Sequence, residues 1–311
     1  MGPLYSERMT GMDLNLIRTF LSIYEHRSLT RAAQELSITQ PSVSYALGRL
    51  RKQLSDQLFI RNADGMVPTR RASELFQIFK TAVRNIDASV EAGRSFDPSA
   101  TQQQFRLCLS DLGELAFLSP ILQKFGQEAP NATLEVVPMQ IGEVSQWLMQ
   151  GDIDAAVASV DIEGAEHCEV LYEDRYVCVL ANSYDGSAGT LDREEFSSLR
   201  HMAIDPSSGH YQADALLESM GVKRRIGLRL HHFSVLPHLI ANSDYAAIVP
   251  LRVAEMFTAQ WPVTIRELPF GMPTFDVSLY WNGTEPRSPA RSWFQQTIAD
   301  ALRRPLRDAR P

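Results

Sequence analysis

The residues whose types and spacing can do chemistry fall into two sets. The first is Thr30, Arg31, Thr39, Gln40, Pro41, Ser42, Ser44, Tyr45, Arg49 and Arg61. A glutamine such as Gln40 pairs bidentately with adenine in the major groove, and an apolar surface such as Pro41 meets a thymine methyl. The hydroxyls of Ser44 and Tyr45 reach base edges or phosphates. Thr30, Arg31 and Arg49 suit phosphates, which position a protein on DNA without reading its sequence. The second set is Ser110, Asp111, His201, Ser208, His210, His232 and Phe233. Neutral imidazoles and hydroxyls beside Phe117, Tyr211 and Phe233 suit a phenol or an aromatic carboxylate. The alternative for each of these residues is a structural serine or histidine satisfied within the fold. Cys108, Cys168 and Cys178 are far apart and lack any CxxC spacing, which argues against zinc and for a reducing compartment. No cofactor is expected.

The elements that must hold the first set can be read from spacing. Leu14, Leu16, Ile17, Phe20, Leu21 and Tyr24 repeat with helical period behind Asp13, an N-cap residue. Ser28 to Leu36, with Ala32 and Ala33, makes a short helix that another can approach closely. Ser37-Ile38-Thr39 fits a tight turn, with Thr39 capping the next helix and Pro41 in its first turn. Val43, Leu47, Leu50 and Leu54 mark the buried face of that helix. Two short helices joined by a tight turn, the second with a polar outer face, form a DNA-reading unit. The same spacing also fits a small helical bundle with a polar face. Leu58 to Arg61 and Met66 to Thr69 then flank Asn62-Ala63-Asp64-Gly65 as two short strands, a wing from which Arg61 reaches the minor groove or the backbone.

From Thr69 to about Ala92 runs a long amphipathic helix with Ala72, Leu75, Phe76, Phe79, Ala82, Val83, Ile86 and Val90 on one broad face. The small head alone is too little to cover that face, so a second subunit is expected against it; the alternative is an ordinary amphipathic helix packed within one chain. The breakers Gly93, Ser95 and Asp97-Pro98-Ser99 end the helix. Beyond them strands alternate with helices: 105–109, 115–128, 133–137, 144–150 and 153–158. A second set follows at 176–180, 201–204, 212–220, 226–231, 235–242 and 246–249, then a strand at 275–281 and a helix at 289–303. That order predicts an α/β body of two lobes, each with a largely parallel sheet covered by helices. Ligands of such sheets lie outside the strand carboxyl ends, near helix N-termini. Ser110-Asp111 and the stretch Asp205 to His210 occupy such places. The expected division is an all-α winged helix-turn-helix over 1–69, a linker helix over 70–94 and an effector-binding domain over 95–311. Its first lobe spans about 100–160 and 270–311, and its second about 161–269.

The chain of 311 residues is 44% hydrophobic and 22% charged, as for an ordinary globular protein. Its net charge of −7 alone disfavours nucleic acid. Residues 1–71, however, hold ten Lys or Arg and six Asp or Glu, a balance of +4, and −7 less +4 leaves −11 for the rest. A basic head can hold phosphates while an acidic body is repelled from them. No apolar stretch is long enough to span a bilayer, and Met1 to Thr10 has no signal-peptide pattern, so a cytoplasmic protein without a membrane partner is expected. No GxSxG, HExxH or GxxxxGK[ST] motif nominates an enzyme. A solute-binding protein would share the body but have no use for the head, and a DNA-packing protein would not carry so large an acidic body.

The stretches Asp13-Leu14-Asn15-Leu16, Thr30-Arg31-Ala32-Ala33, Thr39-Gln40-Pro41-Ser42-Val43-Ser44, Leu58-Phe59-Ile60-Arg61 and Pro68-Thr69 resemble the head of LysR-type transcriptional regulators. Ala46 to Arg51 and Gly65 to Ala72 resemble the branch of nodulation activators and salicylate- or nitroaromatic-responsive regulators. Ser95 to Pro98, Ser110 to Glu114, Gly151 to Val157, Tyr176 to Cys178, Ser208 to His210 and His232-Phe233 extend the resemblance through the body. Gln57 and His231 stand where many relatives have proline. The resemblance implies a body of the periplasmic-binding-protein type, an inducer between its lobes and a homotetramer built as a dimer of dimers. It implies that Gln40, Pro41, Ser44 and Tyr45 read bases in promoter DNA. It also implies that Ser110, His201 and His232 line the inducer cleft with Phe233 as a wall, and that the regulator lets RNA polymerase engage.

Overall fold

The computed structural model describes residues 12–62, 65–91, 96–185, 189–205, 212–282 and 288–303. The chain forms two compact units, Met1–Arg94 and Ser95–Pro311.

In the first unit, α1 (Leu14–His26) starts where the Asp13 side chain accepts from the Asn15 amide, and ends where Arg27 turns to a left-handed φ of 52°. Ser28 caps α2 (Leu29–Glu35), and Thr39 caps α3 (Gln40–Leu54) by accepting from the Ser42 amide. These caps satisfy amides that lack an intrahelical partner. The strands β1 (Phe59–Asn62) and β2 (Gly65–Pro68) pair antiparallel, with Asn62 opposite Gly65. Of the four residues expected as the turn, Asn62 and Gly65 fall in the strands, and Ala63 and Asp64 lie outside the described residues. Gly65 has a φ of 112°, and a Cβ there would sit 2.6 Å from the Arg27 carbonyl oxygen. That carbonyl accepts from the Met66 amide at 2.9 Å, so the wing is tied to the turn after α1. Only glycine meets both demands.

The helix α4 (Arg70–Glu91) starts where the Thr69 hydroxyl accepts from the Ala72 amide. Ala72, Leu75, Phe76 and Phe79 join Leu16, Phe20, Ile23, Ala32, Val43, Leu50 and Phe59 in one core. Here the structure corrects the expectation that the head cannot cover this face, because its first turns complete the head's own core. Val83 is also buried. What remains in solvent is a narrower stripe at every fourth residue: Ile78, 61% exposed, then Ala82, then Ile86 at 44%. The side chain of Val90 lies outside the described residues.

The second unit holds two five-stranded sheets. The first lobe contains β3 (Gln104–Leu109), α5 (Asp111–Glu128), β4 (Thr133–Pro138), α6 (Ile141–Gln150), β5 (Ala155–Ala158) and β6 (His167–Asp174). The second contains β7 (Tyr176–Ala181), α7 (Arg193–Ser198), β8 (Arg200–Ile204), α8 (Gln212–Ser219), β9 (Arg225–Leu230), α9 (Leu236–Ala241), β10 (Tyr245–Pro250), α10 (Leu251–Gln260) and β11 (Val263–Arg266). The chain then returns to the first lobe for β12 (Phe275–Trp281) and α11 (Pro289–Arg303). Strand orders are β4-β3-β5-β12-β6 and β11-β7-β10-β8-β9. In each sheet three neighbouring strands pair in parallel, and one strand of opposite direction, β12 in the first and β7 in the second, joins the fifth through antiparallel pairings.

The expected lobe boundary near residue 161 is corrected by β6. That strand pairs with β12 from Phe275 opposite Asp174 to Trp281 opposite His167, so it belongs to the first lobe. It was missed because it lies at a sheet edge and alternates charged and apolar residues, unlike the continuous apolar runs of β5 and β7. The crossover therefore passes through Arg175, which bonds Glu267 at 2.7 Å on the returning segment.

Candidate functional site

The recognition surface is built by α3. Val43, Ala46, Leu47 and Leu50 face the core, which leaves Gln40, Pro41, Ser42, Ser44, Tyr45 and Arg49 exposed on the other side. The Thr39 and Ser42 hydroxyls meet at 2.8 Å and serve the cap. The Gln40 amide donates to the Ser44 hydroxyl at 2.9 Å, which orients it along the helix surface. Tyr45 is 71% exposed, so its ring contributes little to the fold and is available to a partner. Arg49 lies 3.8 Å from Asp13, with both side chains nearly half exposed. Such a surface pair is worth little, so the arginine can exchange it for a phosphate. Thr30, Arg31 and Arg61 are exposed on α2 and β1. Arg51 was not singled out as a site residue, yet it joins the two parts of the surface. Its guanidinium donates to the carbonyls of Gln57 and Phe59, each at 2.7 Å, and so holds the wing against the recognition helix.

In the second unit, two neighbouring cavities lie between the lobes among the described residues. Ser110, Phe117, Ser159, Tyr172, Arg252 and Phe275 are among the residues lining the first. The Arg252 guanidinium lies 4.2 Å from the centre of the Tyr172 ring and donates to the Leu302 carbonyl at 3.1 Å. Burial pushes the Tyr172 phenol up to about 12, so it stays a neutral donor. Burial likewise raises the Asp174 carboxyl, against the pull of the Arg175 and Arg252 amides. The second cavity is lined by Leu112 and Ser159 of the first lobe and by Tyr176, Met202, Asp214, Arg224, Phe233 and Leu236, among others. Each has free space of about 30 Å³, about one water's share of liquid volume.

The structure divides the expected effector residues. Ser110 caps α5, accepting from the Gly113 amide at 3.1 Å, and lines the first cavity. Phe233 is buried and walls the second. Asp111 lines neither cavity but clasps the lobes. One of its oxygens accepts from the Phe233 amide at 2.6 Å, and the other lies 3.3 Å from Nδ1 of His232. The His232 side chain is 68% exposed and lines neither of these two cavities. His201, expected in the cleft wall, lines neither of them either. It is fully buried, its Nε2 lies 3.0 Å from the Phe196 carbonyl, and its ring packs on that phenylalanine. On β8 the His201 ring packs against Phe196 of α7, while Met202, Ala203 and Ile204 further along the strand line the cavity. Ser208, His210 and Tyr211 lie outside the described residues. Missed altogether were Ser159, Tyr172, Asp214, Arg224 and Arg252. The position of Ser159 just past the carboxyl end of β5 was the available signal for it, because ligands gather at such ends.

Residues 14–73 match the bacterial regulatory helix-turn-helix proteins of the lysR family, and residues 99–303 match the LysR substrate binding domain. The chain belongs to the LysR family. The HTH-type transcriptional activator NagR of a Ralstonia species is 30% identical, across 94% of this chain and 98% of its own. Nodulation protein D 2 of Sinorhizobium fredii is also 30% identical, across 94% of both chains. A solved structure of a probable transcriptional regulator from Pseudomonas aeruginosa superposes with a TM-score of 0.70 at 28% identity, covering 92% of this chain and 96% of that one. The LysR-family protein is accordingly an inducer-controlled, DNA-binding transcriptional regulator, with the head as reader and the two-lobed body as sensor. Among the described residues no helix is long and apolar enough to cross a membrane.

Proposed function

We propose that this regulator is a cytoplasmic, non-catalytic transcription activator whose inducer is an aromatic carboxylate or phenol held between the lobes. The observation that carries the reading is the cleft itself. It presents aromatic walls, Phe117, Tyr172, Phe233 and Phe275, beside hydroxyls of Ser110 and Ser159 and two arginines. The names of the relatives NagR and nodulation protein D 2 support activation. The stripe of Ile78, Ala82 and Ile86 on α4 supports self-association, since its four-residue spacing gives a second helix a continuous apolar seam. Pairs of heads joined as a dimer of dimers then read a partly palindromic promoter site, and RNA polymerase engages when inducer changes their spacing. For that shift the inducer must bind one arrangement better than the other.

The test is a thermal-shift screen of the full chain against aromatic carboxylates, phenols and aliphatic acids. A ligand that binds only the folded state raises the melting temperature. A hit among the aromatics that also alters the DNA footprint supports the reading, and an aromatic panel without any shift refutes the inducer class. In the head, Gln40 is the base-reading residue we assign. The Gln40→Ala chain should bind its promoter about 5- to 150-fold more weakly, the cost of one lost bidentate pair of about 1–3 kcal/mol. Its affinity for random DNA should stay unchanged, as measured by fluorescence anisotropy, and equal losses on both would exclude base reading.

A further inference from the structure

We propose that Arg224 is the anion anchor of the effector cleft, and that Asp214 is a built-in carboxylate that an acidic inducer displaces. The inference rests on the reading that the inducer occupies the cleft between the lobes. Arg224 immediately precedes β9 and Asp214 sits on α8, and the two side chains form an ion pair through Nη2 and Oδ1. They are the charged residues among those lining the second cavity, whose other walls include Leu112, Met202, Ile204, Phe233, Leu236 and Ile248.

A largely buried ion pair in a cavity wall is costly. Well-packed apolar residues of similar volume serve stability equally well or better, whereas breaking such a pair leaves an uncompensated charge. The pair is also lopsided. The Arg224 side chain is 8% exposed and Asp214 29%. When the pair opens, Asp214 has a path to water and Arg224 does not. A ligand carboxylate can therefore take the place of the aspartate without a second desolvation of the arginine. Only one guanidinium nitrogen meets Asp214, while a planar fork can hold a free carboxylate bidentately. Exchange improves the bond.

The groups around the pair favour an anion. Arg229 on β9 acts on Arg224 as a like charge and adds to the positive potential. Burial pushes the Cys178 thiol up to about 12, so it offers no competing thiolate at neutral pH. Burial holds His201 down at about 4, so it is neutral there and neither rivals Arg224 for the carboxylate nor adds a second cation. Because Asp214 lies on α8 and Arg224 borders β9, exchange also unties that helix from its sheet. The charge of the inducer is thereby connected to a movement within the second lobe.

The experiment measures dissociation constants of the full chain for benzoate and benzamide, and for hexanoate and hexanamide, by calorimetry. A charge-assisted bond of about 1.5–3 kcal/mol predicts that an acid binds about 10- to 150-fold tighter than its amide. Arg224→Gln erases that preference. Asp214→Asn, which keeps the arginine and nearly the same shape, tightens acid binding several-fold and leaves amide binding unchanged, because the internal competitor is gone. A purely structural ion pair predicts that both variants bind more weakly, and that result overturns the proposal. So does equal affinity for acids and amides in the wild type, or a preference that survives Arg224→Gln. The two readings fail separately. Aromatic binding without an acid preference sinks the anchor and leaves the aromatic inducer standing. Hexanoate binding without benzoate binding, lost in Arg224→Gln, sustains the anchor and sinks the aromatic class. A chain that binds none of the four overturns the anchor.

Discussion

The Phe20→Ala chain is expected to lose promoter binding at 37 °C while its body remains folded. Phe20 is fully buried and is the hinge of the head's aromatic cluster. Its ring centre lies 5.3 Å from that of Phe59 at the start of the wing and 5.4 Å from Phe79 on α4, edge-on in the second case. Truncation removes the contact that joins α1, the wing and α4 at one point, and leaves a cavity that rigid neighbours cannot close. The cost is about 3–5 kcal/mol, comparable to the whole stability of a small domain. The readout separates the two units cleanly. All four tryptophans, Trp147, Trp261, Trp281 and Trp293, lie in the second unit. Their fluorescence should stay native while anisotropy of labelled promoter DNA shows no complex. Full DNA affinity in the variant would show that the cluster is not needed to hold the recognition helix.

The second large effect concerns acid. Burial holds the His201 imidazole at about 4 in the native state, against about 6.5 in the unfolded chain. Between these values the unfolded chain binds a proton that the native state excludes. The contribution is therefore fully present above about pH 6.5 and is lost as pH falls toward 4, by up to about 3 kcal/mol. His201→Gln removes the titrating group and should flatten this part of the pH dependence. Urea midpoints at pH 7.5, 6 and 5, followed by tryptophan fluorescence, measure it. An unchanged slope in the variant would mean that His201 binds its proton equally well in the folded and unfolded chain. The same burial keeps this histidine out of the two cavity linings, with its ring closed off by Phe196.

These cases show where reading the chain succeeds and where it stops. The head was legible because its signals are local. Asp13, Ser28 and Thr39 cap helices whose first amides lie two or three residues away, and Pro41 fits a first turn wherever that turn packs. The polar face of α3 followed from its period alone. The seam assigned to α4 was only half right. Periodicity identifies an apolar face but not its partner, and Ala72, Leu75, Phe76 and Phe79 found theirs in the head. In the body, the strands with continuous apolar runs were found, and β6 was not. Nor was β11, a four-residue sheet-edge strand with one buried and three half-buried positions.

By itself, then, the sequence determined the alternation of strands and helices apart from β6, α7, α10 and β11, the winged helix-turn-helix with its exposed Gln40, Pro41, Ser44 and Tyr45, and the division into head and two-lobed body. Only the tertiary structure decided which side chains meet in the cleft. In β7 every residue is buried, and β8 is buried at four of five positions. A sheet covered on both faces shows no alternation of apolar and polar residues, so nothing along the chain tells which face of β8 holds the ligand cavity and which the helix layer. Arg224 and Asp214 lie ten residues apart, on different elements, and neither carries a local signal. Their pairing, and with it the charge of the cavity, exists only once α8 has packed against the sheet.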